Sequence, residues 1–223
     1  MGGSLASSRS EPPLIVGFVC EGSTDVVILR AFVEAVIGPI ETRALQPETD
    51  ELDRSLPGAA TGWSEVKAWC ERLSSYDDYF SPLVGDPLDL LVIAMDLDIA
   101  IRAGLQKQPA NLKAYDAKAL CDIVKSWMPA PLHGRVVITI PVMSVEAWIL
   151  AALFPRLNRP EQESAPAELL VNRRRIGMGS TGPWKRASEY RAFGRSVALR
   201  LARVTSVCDE ARRFKQKLDR LRA

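Results

Sequence analysis

Five carboxylates stand where short apolar runs end: Glu21 and Asp25 in VCEGSTD, Asp96 and Asp98 in VIAMDLD, and Glu146 in SVEAW. Gathered in one crevice, they would repel one another severely without cations. Oxygen-only ligands of this kind suit Mg²⁺ or Mn²⁺, and two such ions can activate water and neutralise the leaving oxygen of a phosphodiester. Each acid taken alone has an ordinary explanation. Asp-x-Asp pairs occur in Asx turns and helix caps, and a glutamate in a first helical turn complements the helix dipole. Glu146 is nevertheless the only charged residue between Arg135 and Arg156, and burying an uncompensated carboxylate is costly. Other chemistries find less support. The four cysteines are far apart and the single histidine, His133, is near none of them in sequence, so no zinc motif exists and Ser-His-Asp or Cys-His schemes are weakened. The cysteines read as small buried thiols in a reducing cytoplasm.

The acids require elements that bring them together. Residues 14–20 form a short apolar run with the composition of a strand buried on both faces. Glu21 follows it, Gly22 allows a sharp turn, and Ser23 or Thr24 can cap a helix whose buried face is Val26, Leu29, Val33, Val36 and Ile37. Strand, acid, glycine and helix in this order hold a carboxylate at the carboxyl edge of a parallel sheet, where open α/β folds place ligands. Residues 89–95 give a second buried strand that ends at Asp96 and Asp98. Residues 135–142 give a third, followed by Ser144 as a cap and a helix over 145–153. Between them the pattern predicts a helix over 64–73, capped by Ser64, with Val66, Trp69, Cys70 and Leu73 on one face. A further helix spans 111–128 and ends at Pro129. Residues 38–62 read as loop with one short strand over 42–45, and 76–87 and 155–166 read as loops. The fold class is therefore α/β, a mostly parallel Rossmann-like sheet flanked by helices. A tail over 1–13, rich in Ser and Gly and expected to be flexible, precedes one domain over 14–223, which includes a helical region over 191–223.

Hydrophobic residues make up 47% and charged residues 25% of 223, an ordinary globular balance, and the net charge of +2 is too small to diagnose nucleic-acid binding by itself. The position of the basic residues carries more information. Arg173, Arg174 and Arg175 form a short run, Lys185 follows the glycine-rich turn 177–182, and Arg212, Arg213 and Lys217 lie on a terminal helix whose apolar face is Val207, Ala211, Phe214, Leu218 and Leu221. These are the candidate nucleic-acid contacts, with solvated surface or a dimer contact as the plain alternatives. Pro141, Ser144 and Glu146 break the apolar stretch 135–153, which is too interrupted for a membrane span.

VCEGSTD followed by VIAMDLD resembles the signature of the Toprim domain, shared by topoisomerases, bacterial primases, ribosomal-RNA maturases and OLD-family nucleases. The wider layout, with SVEAW and then GPWKRASEY, is similar to OLD-type Toprims and to small stand-alone Toprim proteins of unassigned function. The resemblance covers roughly residues 14 to 194 and is strong only at these four motifs. It implies that Glu21 is the catalytic acid or base and that Asp96 and Asp98 bind Mg²⁺ or Mn²⁺. It further implies that Asp25 and Glu146, with Glu21, join the metal shell and that Lys185 steadies developing phosphate charge. A third acid sometimes found after the Asp-x-Asp pair is replaced by Ile99 and Ala100, and no Walker A loop occurs. The implied function is a cytoplasmic, metal-dependent nuclease, an effector in bacterial anti-phage defence or repair. DNA stands ahead of RNA as substrate, and a separately encoded ATPase or sensor is a candidate partner. A non-catalytic Toprim-like module that binds nucleic acid or a partner protein is the main alternative. Phosphoryl transfer with Asp96 as nucleophile is a second, but that scheme has no use for Glu21.

Overall fold

In the computed structural model, residues 12–98, 116–180 and 182–222 are described; residues 1–11 of the expected tail over 1–13, and 111–115 of the expected helix over 111–128, lie outside them. Strand β1 (Leu14–Val19) buries its last four residues, and helix α1 (Ser23–Ile37) returns over the sheet to β2 (Ile40–Gln46). Helices α2 (Trp63–Arg72) and α3 (Asp77–Phe80) lead to β3 (Leu90–Ala94), which is buried throughout. Helix α4 (Ala117–Ser126) precedes β4 (Val136–Thr139). The four strands form one all-parallel sheet in the order β2-β1-β3-β4, flanked by helices, a Rossmann-like α/β arrangement.

Successive residues of a strand point to opposite faces, so a sheet covered on both sides needs apolar residues at every position. Strand β3 shows the consequence: Leu90, Val92 and Ala94 enter one core and Leu91 and Ile93 the other. The first core holds α1 with α5 (Glu146–Leu153), α7 (Ala187–Leu199), α8 (Leu201–Val207) and α9 (Asp209–Arg222). Phe32, Trp148 and Phe214 meet there with ring centroids 5.1 to 6.1 Å apart. The second core places Val66, Trp69, Leu120 and Val124 of α2 and α4 against the other face. Between α5 and α7 lie a 3₁₀ turn (Pro160–Gln162), α6 (Pro166–Asn172) and a two-stranded hairpin, β5 (Met178–Gly179) with β6 (Gly182–Pro183).

Several expected boundaries move. Gly22, rather than Ser23 or Thr24, caps α1, because Asp25 reaches back from the first turn to accept the Gly22 N–H at 2.9 Å and supplies the stabilising contact from inside the helix. Gly62 and Val145 take the cap positions predicted for Ser64 and Ser144. Residues 76–87 contain α3, held by Phe80, whose ring stacks on His133 at 4.4 Å. The terminal helical region is interrupted at Arg200 and Cys208, and Leu221, expected on its buried face, is exposed. No helix among the described residues is long and apolar enough to cross a membrane.

Candidate functional site

Parallel strands share a carboxyl edge, so the residues after β1 and β3 and in the turn after β4 must meet at one end of the sheet. There a cleft of about 500 Å³ is lined by Glu21, Asp25, Asp96, Asp98 and Lys185. Glu21 and Asp25 are tied to backbone. The Asp96 N–H donates to Glu21 Oε1 at 2.7 Å, joining the ends of β1 and β3, and Asp25 Oδ2 accepts from Gly22. The Gly62 N–H, at the start of α2, donates to the Glu21 carbonyl at 2.8 Å, which closes the cleft on that side.

Glu146 lies behind this row, fully buried in the first turn of α5. Its Oε1 accepts the Tyr190 hydroxyl at 2.6 Å and faces the Lys185 ammonium at 2.8 Å. Its Oε2 is buried and has no hydrogen-bond partner among the described residues, and the same holds for Asp25 Oδ1. Met143, in the turn between β4 and α5, carries a φ of 65° and also lines the cleft. A non-glycine residue in that region costs about 1–3 kcal/mol and persists where the surroundings hold it.

No family model, curated protein or solved structure matches this chain. What the site can do therefore rests on its own chemistry.

Burial, with the charges of Asp25 and Asp98 beside it, pushes the Glu21 carboxyl up to about 8 against the lowering effect of the Asp96 N–H and Lys185. Burial and Glu146 push Asp25 up to about 6, with Lys185 opposing. Burial also raises Asp96 well above the ordinary carboxylate range, helped by Asp25, Glu21 and Glu146. Glu146 goes the other way, since Lys185, Tyr190 and Ser144 outweigh its burial and hold it below its usual value. Among the described residues, three raised acids around one neutralised acid form a site short of positive charge. Among the described residues no group of three His, Cys, Asp or Glu side chains is already drawn close enough to hold a metal ion. The two orphaned carboxylate oxygens and the all-oxygen donor set nonetheless fit a hard divalent ion, which would relieve that shortage.

The basic candidates divide. Lys185 lines the cleft, whereas Arg173, Arg174, Arg175, Arg212, Arg213 and Lys217 do not. Arg173 and Arg175 lie over the Phe154 ring at 5.4 and 5.7 Å, at the far end of α6. On α9, Arg212 pairs with Asp209 at 2.5 Å and Arg213 with Glu210, while Lys217 donates to the Ile138 carbonyl at 2.6 Å. That helix is laced to itself and to β4. The sequence reading missed Tyr190 as a partner of Glu146, and it missed Glu168, which lines the cleft from the first turn of α6. Only the need of a buried tyrosine for a hydrogen-bond partner signalled the first.

Proposed function

We propose that this protein is a Toprim-like, divalent-metal-dependent nuclease that hydrolyses nucleic-acid phosphodiester bonds at the cleft between β1 and β3. The observation that carries the reading is the convergence of Glu21, Asp25, Asp96 and Asp98 on one cleft, with buried, unpartnered oxygens on Asp25 and Glu146. Asp96, Asp98, Asp25 and Glu146 would hold Mg²⁺ or Mn²⁺. A bound ion supplies a more acidic water and neutralises charge on the leaving oxygen. Glu21 is the proton-handling residue. Burial raises its carboxyl and a bound ion would lower it again, which brings its proton affinity within reach of neutral pH, where general acid–base catalysis is most effective. Lys185 brings the positive charge that a phosphate approaching five acids requires.

Cleavage of duplex DNA, single-stranded DNA and RNA, measured with and without Mg²⁺ and Mn²⁺, tests the reading. Metal-dependent cutting of at least one substrate is expected. Glu21→Gln should slow it on the order of 10²- to 10⁴-fold while substrate binding persists. Absence of cutting under every metal condition, or full activity in Glu21→Gln, overturns it.

A further inference from the structure

Among the described residues that line the cleft, Lys185 is the only cation, and it stands among acids. Its ammonium contacts the Glu146 oxygen that also takes the Tyr190 hydroxyl, leaving the second oxygen without a partner. Its charge also acts on Glu21, Asp25 and Asp96. Among the described residues, one monovalent side chain thus provides the positive charge for a site whose donor atoms suit a divalent ion.

The anchoring of Lys185 adds a second observation. It follows β6 through Trp184, whose backbone N–H donates to the Gly177 carbonyl at 2.9 Å. The indole lies so close to the hairpin backbone that a Cβ at Gly177 or Gly179 would come within 2.3 or 2.4 Å of it. Arg186 covers the ring, its guanidinium 4.3 Å from the ring centroid. The backbone beside Lys185 is clamped, but the side chain is still 44% exposed while that of Glu146 is 0%. A compact ammonium on a flexible four-carbon stem can leave such a pair by rotating its own bonds, without moving the hairpin.

We infer that Lys185 is a tethered counter-ion: it neutralises Glu146 and its neighbours while the cleft holds no divalent ion, and it is displaced from Glu146 when such an ion enters, becoming free to face a phosphate. This rests on the metal-site reading above. It differs from a fixed structural salt bridge, which a metal would leave intact, and from a lysine that serves the phosphate alone, which would not oppose the metal. Competition for Glu146, together with like-charge repulsion, makes Lys185 an antagonist of cation binding in the resting protein.

The test uses wild type and Lys185→Met, with MgCl₂ as the probe at pH 8, read by calorimetric titration and by thermal melting. Lys185→Met should bind Mg²⁺ tighter by roughly tenfold or more, because a unit charge has left the immediate surroundings of the ion. Without Mg²⁺ its Tm should fall by roughly 10 °C, since Glu146 is left buried without a counter-charge, and Mg²⁺ should recover more of that loss than it adds to wild type. A measurement on wild type alone covers the case in which the variant does not fold. Acylation of Lys185 by an N-hydroxysuccinimide ester, followed by mass spectrometry, should rise severalfold when MgCl₂ is added. Wild type that binds Mg²⁺ with Lys185 labelling unchanged, or a variant with equal or weaker Mg²⁺ affinity, overturns the counter-ion role and leaves the metal centre standing. If neither protein binds Mg²⁺, the metal-site reading falls and takes this inference with it.

Discussion

Tyr190 shows how much a single hydroxyl contributes when the acceptor is a buried charge. It is fully buried, and among the described residues its hydroxyl donates to Glu146 Oε1 at 2.6 Å. Burial and the Glu146 charge push the phenol far above its ordinary range, so it stays a donor at every accessible pH. Replacing it by phenylalanine keeps the ring volume and deletes the donor. Hydrogen bonds to charged groups are worth about 1.5–3 kcal/mol, so Tyr190→Phe should lose that much in urea unfolding without divalent ions. An unchanged midpoint would mean that the ring only fills space. At this scale the acids are legible in the sequence, because Glu21, Asp96 and Asp98 follow apolar runs and Glu146 is the only charge between Arg135 and Arg156. Tyr190 was not, since its partner is 44 residues away and the pairing exists only once α7 folds back over α5. The cysteines, expected as small buried thiols, are free; Cys20, Cys70 and Cys208 are buried and Cys121 is half-buried, and burial pushes Cys70 up to about 12.

The pairing of α7 with α1 is what carries Tyr190 to its place. The two helices pack tightly at Gly194, where a Cβ would lie 3.0 Å from the Ala31 Cβ and 3.4 Å from the Val27 carbonyl oxygen. Gly194→Ala gains helix propensity and loses fit, two effects of similar size. Gly194→Val removes the ambiguity: a branched side chain should push α7 off α1 and cost about 1–3 kcal/mol. It should also weaken the hold on Glu146, visible as a further loss of stability that Mg²⁺ partly restores. A Gly194→Val protein as stable as wild type would show that α1 and α7 can repack. Elements with a strong period were readable from sequence: β1, β3 and β4 as apolar runs, α1 and α2 from their three-and-four spacing. Strand β2 was seen only in part, since its partly exposed residues Ile40–Gln46 carry no continuous apolar run. The β5–β6 hairpin was read as a loop because it has two residues per strand and is held by Trp184 lying on glycine backbone, a tertiary contact with no periodicity. The basic stripe of α9 was correctly placed on a helix, but its intrahelical partners Asp209, Glu210 and Asp219 follow from i, i+3 and i, i+4 geometry that a list of basic residues overlooks.

For the molecule as a whole, buried acids make stability depend on pH in a direction opposite to that of paired surface carboxylates. Burial is the largest cause in each case: it lifts Glu21 from 4.5 to about 8, Asp25 from 3.8 to about 6, and Glu161 from 4.5 to about 7. Between those limits the folded chain holds protons that the unfolded chain has released, so stability falls as pH rises through each window. The decline without divalent ions should therefore run from about pH 4 to about pH 8. Glu21 and Asp25 belong to the cleft, and a cation that favours their ionised forms should flatten their share. Glu161 does not line the cleft. From the 3₁₀ turn it accepts the Trp148 indole N–H at 3.3 Å and the Asp209 and Glu210 N–H groups at 2.7 and 3.3 Å, capping the start of α9. Its share should persist with Mg²⁺ present and disappear in Glu161→Gln, which keeps an acceptor oxygen but cannot ionise. Thermal melts of wild type and Glu161→Gln from pH 4 to pH 8, each with and without MgCl₂, separate the two sources. The steepest loss is expected for wild type without Mg²⁺ and the flattest profile for Glu161→Gln with it. Parallel profiles with and without Mg²⁺ would show that the ion does not engage the raised carboxylates. A wild-type Tm that climbs from pH 4 to pH 8 would show instead that the cleft acids are stabilised as anions by the fold itself.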